Sequence, residues 1–331
     1  MFTLRFDMRL RDGDASAPAL YRAALEMSAW GEAHGAALAM ISEHHASSDG
    51  YLPAPFVLAS AIAARTNKLA IQVAALLVPL HDPIELAEQM AVLDIVSGGR
   101  VSYICALGYR PEEYAMFGRD IKQRGKRMEA CLAAMRKSWS GEAFEYEGRA
   151  VRVTPKPITP GGPALFMGGN APEAVRRAAR FGMGMLTMGG NPELDAIYRS
   201  ACAEYGTKPQ LFVNPVGDSP ATCFIARDLD KAWREIGPYM LHDAEMYASW
   251  FQSMGTITKS TALTVDALRA EHGNYRILTP EEAAERIRKH GALMLQPLCG
   301  GLPPELAWPS LELLASEVLP RVKRGHSGAT T

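Results

Sequence analysis

Apolar residues along the chain follow two spacings, one typical of β-strands and one typical of α-helices. A compact apolar run at residues 2–8 is followed by apolar positions that recur every three or four residues over 17–35. Further apolar runs at 37–42 and 68–78 are again each followed by a helical pattern. The chain is therefore predicted to consist of repeated strand-then-helix units.

The same alternation continues to the end of the chain. Strands alternating with helices imply a parallel sheet, because each crossover helix returns the chain to the same edge of the sheet. Eight such units favour an α/β fold of the closed (β/α)8 TIM barrel type. The alternative is an open sheet with a small second domain, but no GxGxxG fingerprint follows the first strand. The remaining predicted elements are strands at 101–107, 164–167, 184–188, 210–215 and 292–298, a hairpin at 142–153, and helices at 53–65, 83–96, 120–139 and 305–322.

Two segments depart from this alternation. Residues 216–278 have an irregular pattern, with one helix at about 228–251 and a Thr/Ser-rich stretch after it. We expect one domain over residues 1–324 that carries an insertion at about 216–278, near the C-terminal third. Residues 325–331 are small and polar, with nothing to bury, and are expected to form a flexible tail.

Composition excludes several classes of partner. Hydrophobic residues make up 48% of the chain and charged residues 21%, as is usual for a globular protein. The formal net charge of −1 gives no broad field that would attract phosphate backbones or acidic lipids. We therefore expect neither nucleic acid nor membrane as a partner.

The cysteines indicate the compartment. Five cysteines are widely spaced, with no CxxC pair, and the N-terminus has no apolar signal sequence. Reduced thiols in a cytoplasmic protein fit this pattern best.

The second predicted strand ends in Glu43-His44-His45, where polar chemistry follows an apolar run. Imidazole suits proton transfer near neutral pH. Side chains alternate along a strand, so only one of the two histidines readily faces the mouth of a barrel. The alternative is a histidine pair that is bonded to a carboxylate as loop structure. We expect no metal centre, because one pair is a weak ligand set.

The third and fourth strand ends are less reactive. Ala74 and Ala75 would let a flat ligand approach the backbone, although tight packing explains them equally well. Cys105 is followed by Ala106 and Leu107, and we interpret Cys105 as a small buried residue rather than a reactive thiol.

Two glycine pairs follow the fifth and sixth strands. Their exposed backbone N–H groups and the helices that begin after them favour an anion such as a phosphate. Tight strand-to-helix turns would also require glycine. These loops contain Gly168, Gly169, Asn170 and Ala171 in the first case, and Met188, Gly189 and Gly190 in the second.

Together these motifs resemble the bacterial luciferase-like family of flavin- or deazaflavin-dependent oxidoreductases. The resemblance covers nearly the whole chain and is most specific over residues 81–100, HDPIELAEQMAVLDIVSGGR, and 108–120, GYRPEEYAMFGRD. The segments SEHH at 42–45 and GPALFMGGNAPEAVRRAARFGMGML at 162–186 match it as well.

The resemblance implies a barrel that binds FMN, or in one branch coenzyme F-420, at its C-terminal mouth. His44 then matches the active-site histidine, Ala74-Ala75 the bulged and sometimes cis-bonded strand under the flavin ring, and Gly168 to Ala171 the phosphate loop. Cys105, Ala106 and Leu107 match the wall near the flavin. One departure is important: Ala106 stands where luciferases have a phosphate-binding arginine.

We therefore expect a two-component FMN monooxygenase that oxidises a small organic substrate with O2 and reduced FMN supplied by a partner flavin reductase. The alternatives are a deazaflavin (coenzyme F-420)-dependent dehydrogenase or reductase, and a non-catalytic flavin-binding barrel. The resemblance also implies a homodimer.

Overall fold

The computed structural model describes residues 1–11, 16–215, 220, 222–251 and 260–326. Over these residues the chain alternates strands and helices, and the strands pair almost entirely in parallel. The α/β prediction is therefore confirmed. Of the predicted tail, residues 327–331 lie outside the described part, and so does most of the Thr/Ser-rich stretch, at 252–259.

The strands of the described chain are β1 (Phe2–Phe6), β2 (Ala36–Ile41), β3 (Ala70–Leu76), β4 (Val101–Cys105), β5 (Phe144–Tyr146), β6 (Arg149–Val151), β7 (Ala164–Gly168), β8 (Gly184–Leu186), β9 (Phe212–Val213), β10 (Thr222–Ile225), β11 (Tyr275–Leu278) and β12 (Leu293–Leu295). The α-helices are α1 (Ala17–Ala33), α2 (Pro55–Arg65), α3 (Pro83–Ser97), α4 (Pro111–Met116), α5 (Arg124–Ser138), α6 (Pro172–Arg180), α7 (Leu194–Tyr205), α8 (Leu229–Phe251), α9 (Val265–Ala270), α10 (Pro280–His290), α11 (Pro304–Leu313) and α12 (Leu319–His326). Among the helices of the described ranges, none is long and apolar enough to cross a bilayer.

The chain divides into two compact units. The first contains the described residues of 1–40, 47–52 and 218–331. Its strands follow the order β11-β10-β12-β1-β2, and Phe2 and Leu4 of β1 lie opposite Leu293 and Leu295 of β12 in a parallel pair. These four side chains are 2% exposed or less, so the core of this unit lies along β1 and β12.

The second unit contains residues 41–46 and 53–217, with the parallel order β3-β4-β7-β8-β9. Buried side chains of the middle strands, among them Val73, Tyr103, Met167 and Met185, form its core. Parallel strands that are covered by helices carry near-continuous apolar runs, as these do. The candidate residues at the ends of β3, β4, β7 and β8 all belong to this unit.

Capping side chains and a glycine mark the boundaries of two helices. The Asp82 side chain accepts hydrogen bonds from the backbone N–H groups of Ile84 and Glu85 at the start of α3, and Gly98 ends that helix with φ of 67°. Thr279 and Glu282 form a reciprocal capping box at the start of α10. The hairpin predicted over 142–153 is present as antiparallel β5 and β6.

The segment predicted to be irregular contains two further strands. Strand β10 pairs in parallel with β11 and, through Cys223 opposite Leu295, with β12. All four residues of β10 are buried, so its short sequence TCFI shows no alternation of polar and apolar positions. The predicted closing helix is also not continuous, because π-helical geometry over Leu314–Val318 separates α11 from α12.

Candidate active site

A histidine-carboxylate pair lies after the end of β2. His44 Nδ1 lies 2.8 Å from Glu113 Oε1, and His44 Nε2 lies 3.3 Å from the Tyr109 hydroxyl. The carboxylate is fully buried and His44 is 7% exposed. With the carboxylate oxygen as acceptor, the hydrogen bond assigns the donated proton to His44 Nδ1, which leaves Nε2 as the ring nitrogen that can accept a proton.

The same carboxylate oxygen fixes the chain that carries the histidine. Glu113 Oε1 also accepts a hydrogen bond from the backbone N–H of His45 at 3.0 Å. The Arg110 guanidinium donates to the His45 carbonyl and lies 3.4 Å from Glu113 Oε1. The first turn of α4 therefore holds both the ring and the backbone of the two-histidine segment.

His45 takes part in a different contact from His44. Its Nε2 lies 2.8 Å from Glu43 Oε1, and the same oxygen is 2.8 Å from His81 Nε2. Its ring also packs edge-on against Phe117. The two imidazole rings therefore contact different carboxylates, and the His44 ring is the one that lies 3.3 Å from the Tyr109 hydroxyl.

The Ala74–Ala75 segment lies at the end of β3. The peptide between Ala74 and Ala75 is cis, and the register of β3 against β4 shifts between Ala74 and Leu76. Both alanines are half-buried, whereas Val73 and Leu76 on either side are buried. The chain therefore presents a small, partly accessible backbone surface here.

The end of β4 lies beside the end of β3, because the two strands pair in parallel. Cys105 is fully buried, and burial raises the pKa of its thiol to about 12, which keeps it protonated at neutral pH. The expectation that it is a buried residue is confirmed. Ala106 and Leu107 are half-buried, and the Leu107 carbonyl accepts a hydrogen bond from the Tyr114 hydroxyl.

The two glycine-containing loops are joined by one side chain. Asn170 donates from Nδ2 to the Gly189 carbonyl at 2.9 Å, and its Oδ1 accepts from the Met188 N–H at 2.6 Å. The structure therefore brings the loops after β7 and β8 together. Asn170 is used in this bridge, which a sequence alone does not reveal.

Backbone conformation accounts for three of the four glycines in these loops, and close packing accounts for the fourth. Gly169, Gly189 and Gly190 have φ of 139°, 87° and 90°, a region that favours glycine. Gly168 is required for a different reason, since a Cβ there would lie 2.9 Å from Ile104 Cγ2. Glu173 lies in the first turn of α6 and adds negative charge close to the first loop.

A family match covers most of the chain. The model of the family described as luciferase-like monooxygenase matches residues 4–293. The chain belongs to this family.

Curated relatives match this chain over different lengths. The first curated relatives, among them a protein of Mycobacterium tuberculosis, are 34% identical over 148 residues, and that match spans 43% of this chain and about half the length of those relatives (50%). The oxygenase component of flavin-dependent trigonelline monooxygenase of Acinetobacter baylyi is 22% identical over 93% of both chains.

Two solved structures of monooxygenases share the fold. Monooxygenase RslO1 from Streptomyces bottropensis aligns with a TM-score of 0.75 at 23% identity, over 97% of this chain and 99% of its own. The oxygenating constituent of 3,6-diketocamphane monooxygenase from Pseudomonas putida, in complex with FMN, aligns with a TM-score of 0.67 at 19% identity, over 97% and 98%. The predicted fold is thus that of the luciferase-like TIM-barrel monooxygenases.

Sequence patterns missed several residues of this family member's site. Glu113 and Tyr109 lie in the segment GYRPEEYAMFGRD, which carries the resemblance, but spacing alone does not show that they face His44. His81 also contacts this region: its side chain is 24% exposed, and its Nε2 lies 2.8 Å from the buried Glu43 Oε1.

A group of possible metal ligands occurs in the other unit. Asp7, Asp243 and Cys299 have ligand atoms within 4.8 Å of one another. Arg9 Nε lies 2.9 Å from Asp243 Oδ1 and 3.7 Å from Asp7 Oδ2. The positive charge that these two carboxylates face is therefore the guanidinium.

Proposed function

We propose that this protein is the oxygenase of a two-component FMN monooxygenase that oxidises a small organic substrate. The observation that carries the proposal is the His44 imidazole held by a buried Glu113, two residues after the Ser42 hydroxyl that bonds to the Ala74 carbonyl. In this proposal a residue suited to proton transfer follows, two positions later in the chain, a residue that contacts the support for the flavin ring.

The candidate residues offer a flavin small side chains and backbone groups rather than charge. Ala74, Ala75 and Ala106 would contact the ring, and Gly168 to Ala171 and Met188 to Gly190 would hold the phosphate through backbone N–H groups. When bound, reduced FMN supplies the electrons that activate O2. Ala106 gives no cation for the phosphate, so backbone groups carry more of that contact.

His44 has the proton-handling role in this proposal. Glu113 holds the ring so that Nε2 can accept a proton from the reacting groups or donate one to them. The Tyr109 hydroxyl, 3.3 Å from Nε2, orients that nitrogen in the absence of substrate.

A partner reductase follows from the names of the relatives. The trigonelline enzyme is named as an oxygenase component and the camphane enzyme as an oxygenating constituent. We infer that this protein likewise receives reduced FMN from a separate flavin reductase. We also propose a cytoplasmic location, because all five cysteines are buried thiols rather than disulfides.

The test is oxygen consumption with reduced FMN and a panel of small organic substrates. His44→Ala is expected to reduce turnover by about 10² or more, the usual contribution of a general acid-base group. His290→Ala, on the exposed end of α10, is the matched control and is expected to leave turnover unchanged. Equal turnover by His44→Ala and the wild-type protein would refute the role, and FMN binding without turnover on any substrate would favour a non-catalytic barrel.

A deazaflavin enzyme is the second candidate, and one observation favours it. Ala106 stands where an arginine would be expected beside an FMN phosphate. In that case His44 serves a hydride-transfer reaction. Titration with oxidised FMN and with coenzyme F-420 separates the two, since tight F-420 binding without FMN affinity would replace the first proposal.

We propose that the protein forms a homodimer through α2 and α3. These helices expose several large apolar side chains, and apolar surface that is exposed to water is a common sign of an interaction site. The exposed fractions are 73% for Val57, 47% for Val92, 40% for Ile95 and 50% for Val96.

A further inference from the structure

Two side chains that follow β2 hold the end of β3. Ser42 Oγ donates to the Ala74 carbonyl at 2.5 Å, and Glu43 Oε2 accepts from the Leu77 backbone N–H at 2.7 Å. The first bond is to the carbonyl of the Ala74–Ala75 peptide itself, and the second is to an N–H two peptides further along the chain. We call this pair of side chains the Ser42–Glu43 clamp.

Strand β4 completes the contact from the opposite side. The Ala106 N–H donates to the Leu76 carbonyl at 2.9 Å, where the register of β3 against β4 has shifted. Backbone groups of three of the four residues from 74 to 77 are therefore tied to neighbours. The ends of β2 and β4 together fix the position of the Ala74–Ala75 backbone.

Glu43 is itself held in place by two imidazoles. Its Oε1 lies 2.8 Å from both His45 Nε2 and His81 Nε2, and the carboxylate is 1% exposed. Burial alone would raise the pKa of Glu43, but the charge of His81 and the hydrogen bonds from His45, His81 and Leu77 lower it to about 2. The group therefore stays an acceptor on both oxygens throughout the neutral range.

We propose that the Ser42–Glu43 clamp positions the Ala74–Ala75 backbone as the support for a flavin ring. This inference rests on the proposed function, because it needs a flavin at that place. Ser42 and Glu43 act through the backbone of β3 and are positioning residues. Their contribution is to hold the support in the shape that the ring requires, at no cost in ordering when the cofactor binds.

The chemistry of the clamp requires a carboxylate at position 43. Three N–H groups point at its two oxygens, from His45, His81 and Leu77. A glutamine has the same size but carries one N–H2 group, which would face at least one of these donors in either orientation. Glu43→Gln therefore disturbs the clamp without creating a cavity.

The experiment compares five variants in fluorescence titrations with oxidised FMN and with coenzyme F-420. Glu43→Gln and Ser42→Ala each remove part of the clamp. Glu26→Gln and Ser60→Ala are the matched controls, since Glu26 is exposed on α1 and Ser60 bonds to a carbonyl within α2. Ser42→Thr, which keeps the hydroxyl, tests for rescue.

A second readout follows the backbone without any cofactor. Hydrogen–deuterium exchange of the peptide over residues 70–80 reports whether the Leu77 N–H is protected. Thermal unfolding of each variant shows whether the rest of the protein is intact.

We expect Glu43→Gln and Ser42→Ala to weaken flavin binding by about tenfold or more, the effect of losing one good hydrogen bond. The circular dichroism band of the bound flavin should change, and exchange over residues 70–80 should be faster in Glu43→Gln. Both controls and Ser42→Thr should behave as the wild-type protein. If both clamp variants keep the affinity, flavin spectrum and exchange rate of the wild-type protein, the inference about the clamp is wrong and the proposed function is unaffected. If the wild-type protein binds neither cofactor, the proposed function and the inference are both wrong.

Discussion

Glu113 shows how much a single buried carboxylate can organise. One of its oxygens contacts the His44 ring, the His45 backbone and the Arg110 guanidinium. The other oxygen is buried and has no hydrogen-bond partner within the part of the chain that the structure describes. A buried acceptor without a partner carries a desolvation penalty, so this carboxylate is held for the contacts that its first oxygen makes.

The first prediction concerns this carboxylate. Glu113→Gln keeps the volume but removes the charge that fixes the Nδ1 proton on His44, so turnover should fall by about 10²-fold while KM changes little. Steady-state kinetics with reduced FMN measure both quantities. Glu112→Gln, at the adjacent exposed position of α4, is the control, and an unchanged kcat in Glu113→Gln would contradict the prediction.

At the scale of an element, the loop after β8 depends on a glycine for two separate reasons. Gly189 has φ of 87°, and a Cβ there would lie 2.4 Å from the Pro215 carbonyl oxygen. Gly190 has a similar φ of 90°, but a Cβ there meets nothing within 4 Å. Comparing Gly189 with Gly190 therefore distinguishes the cost of backbone strain from the cost of a steric clash.

The second prediction uses this pair. Gly190→Ala should cost about 1 kcal/mol of unfolding free energy from its positive φ alone. Gly189→Ala adds a clash with the backbone and should cost at least about 1 kcal/mol more, with weaker flavin binding because the loop must shift. Urea unfolding and FMN titration measure both effects, and equal losses in the two variants would contradict the steric argument.

The third prediction is a pH dependence of the connection between β3 and α3. The charge of Glu43 raises the pKa of His81 above its usual 6.5 even though burial opposes this. A raised pKa means that the stabilisation is fully present below pH 6.5 and is lost as the pH rises through the pKa of the folded state. Glu43, with a pKa of about 2, stays ionised over this range.

Unfolding free energies of the wild-type protein and His81→Gln, measured from pH 5 to pH 9, test this. The wild-type protein should exceed the variant most at the acidic end, and the difference should narrow above pH 6.5. A difference that is constant over the range would show that His81 acts only as a neutral hydrogen-bond donor.

Elements with strong local signals were predictable from the sequence, and those defined by their neighbours were not. Asp82 before a proline marks the start of α3, and the chain does form a helix there. Strand β10 has four buried residues and no alternation, so its position between β11 and β12 depends on tertiary pairing. The histidine at position 44 was visible as a polar end to an apolar run. Its partner Glu113 lies 69 positions away, a separation that no local pattern encodes.

At the scale of the whole chain, a buried arginine joins segments that are far apart in sequence. Arg9 follows β1 and contacts Asp49 and, on α8, Asp243. The rings of Tyr51, Tyr247 and Trp250 surround it, with its guanidinium carbon 4.6, 5.1 and 4.8 Å from their centroids. Both its charge and its flat shape are used in this cluster.

The fourth prediction is that this cluster contributes strongly to stability. Arg9→Met leaves buried carboxylates without their cation and should cost about 3–5 kcal/mol of unfolding free energy. Arg269→Met, which removes a surface pair with Asp230, should cost about 1 kcal/mol or less. Urea unfolding at pH 7 compares them. A loss in Arg9→Met no larger than that in the control would mean that the aromatic rings, and not the ion pairs, hold these segments together.

The fifth prediction concerns the association of two chains. The exposed apolar face of α2 and α3, with Val57, Val92, Ile95 and Val96, is costly in water and would gain by burial against a second copy. We expect the wild-type protein to be a dimer in light scattering coupled to size-exclusion chromatography. Val92→Asp places a charge at this face and should shift the mass to that of a monomer.

Leu263→Asp is the control for that experiment, because Leu263 is 83% exposed but lies before α9 in the other unit. It should leave the mass unchanged. Circular dichroism must show that both variants keep the wild-type helix content, so that a loss of mass reports association and not unfolding. If Val92→Asp remains a dimer while Leu263→Asp dissociates, the face used for association is not the one formed by α2 and α3. If the wild-type protein is a monomer at all concentrations tested, the apolar face has another partner, and the dimer proposal fails.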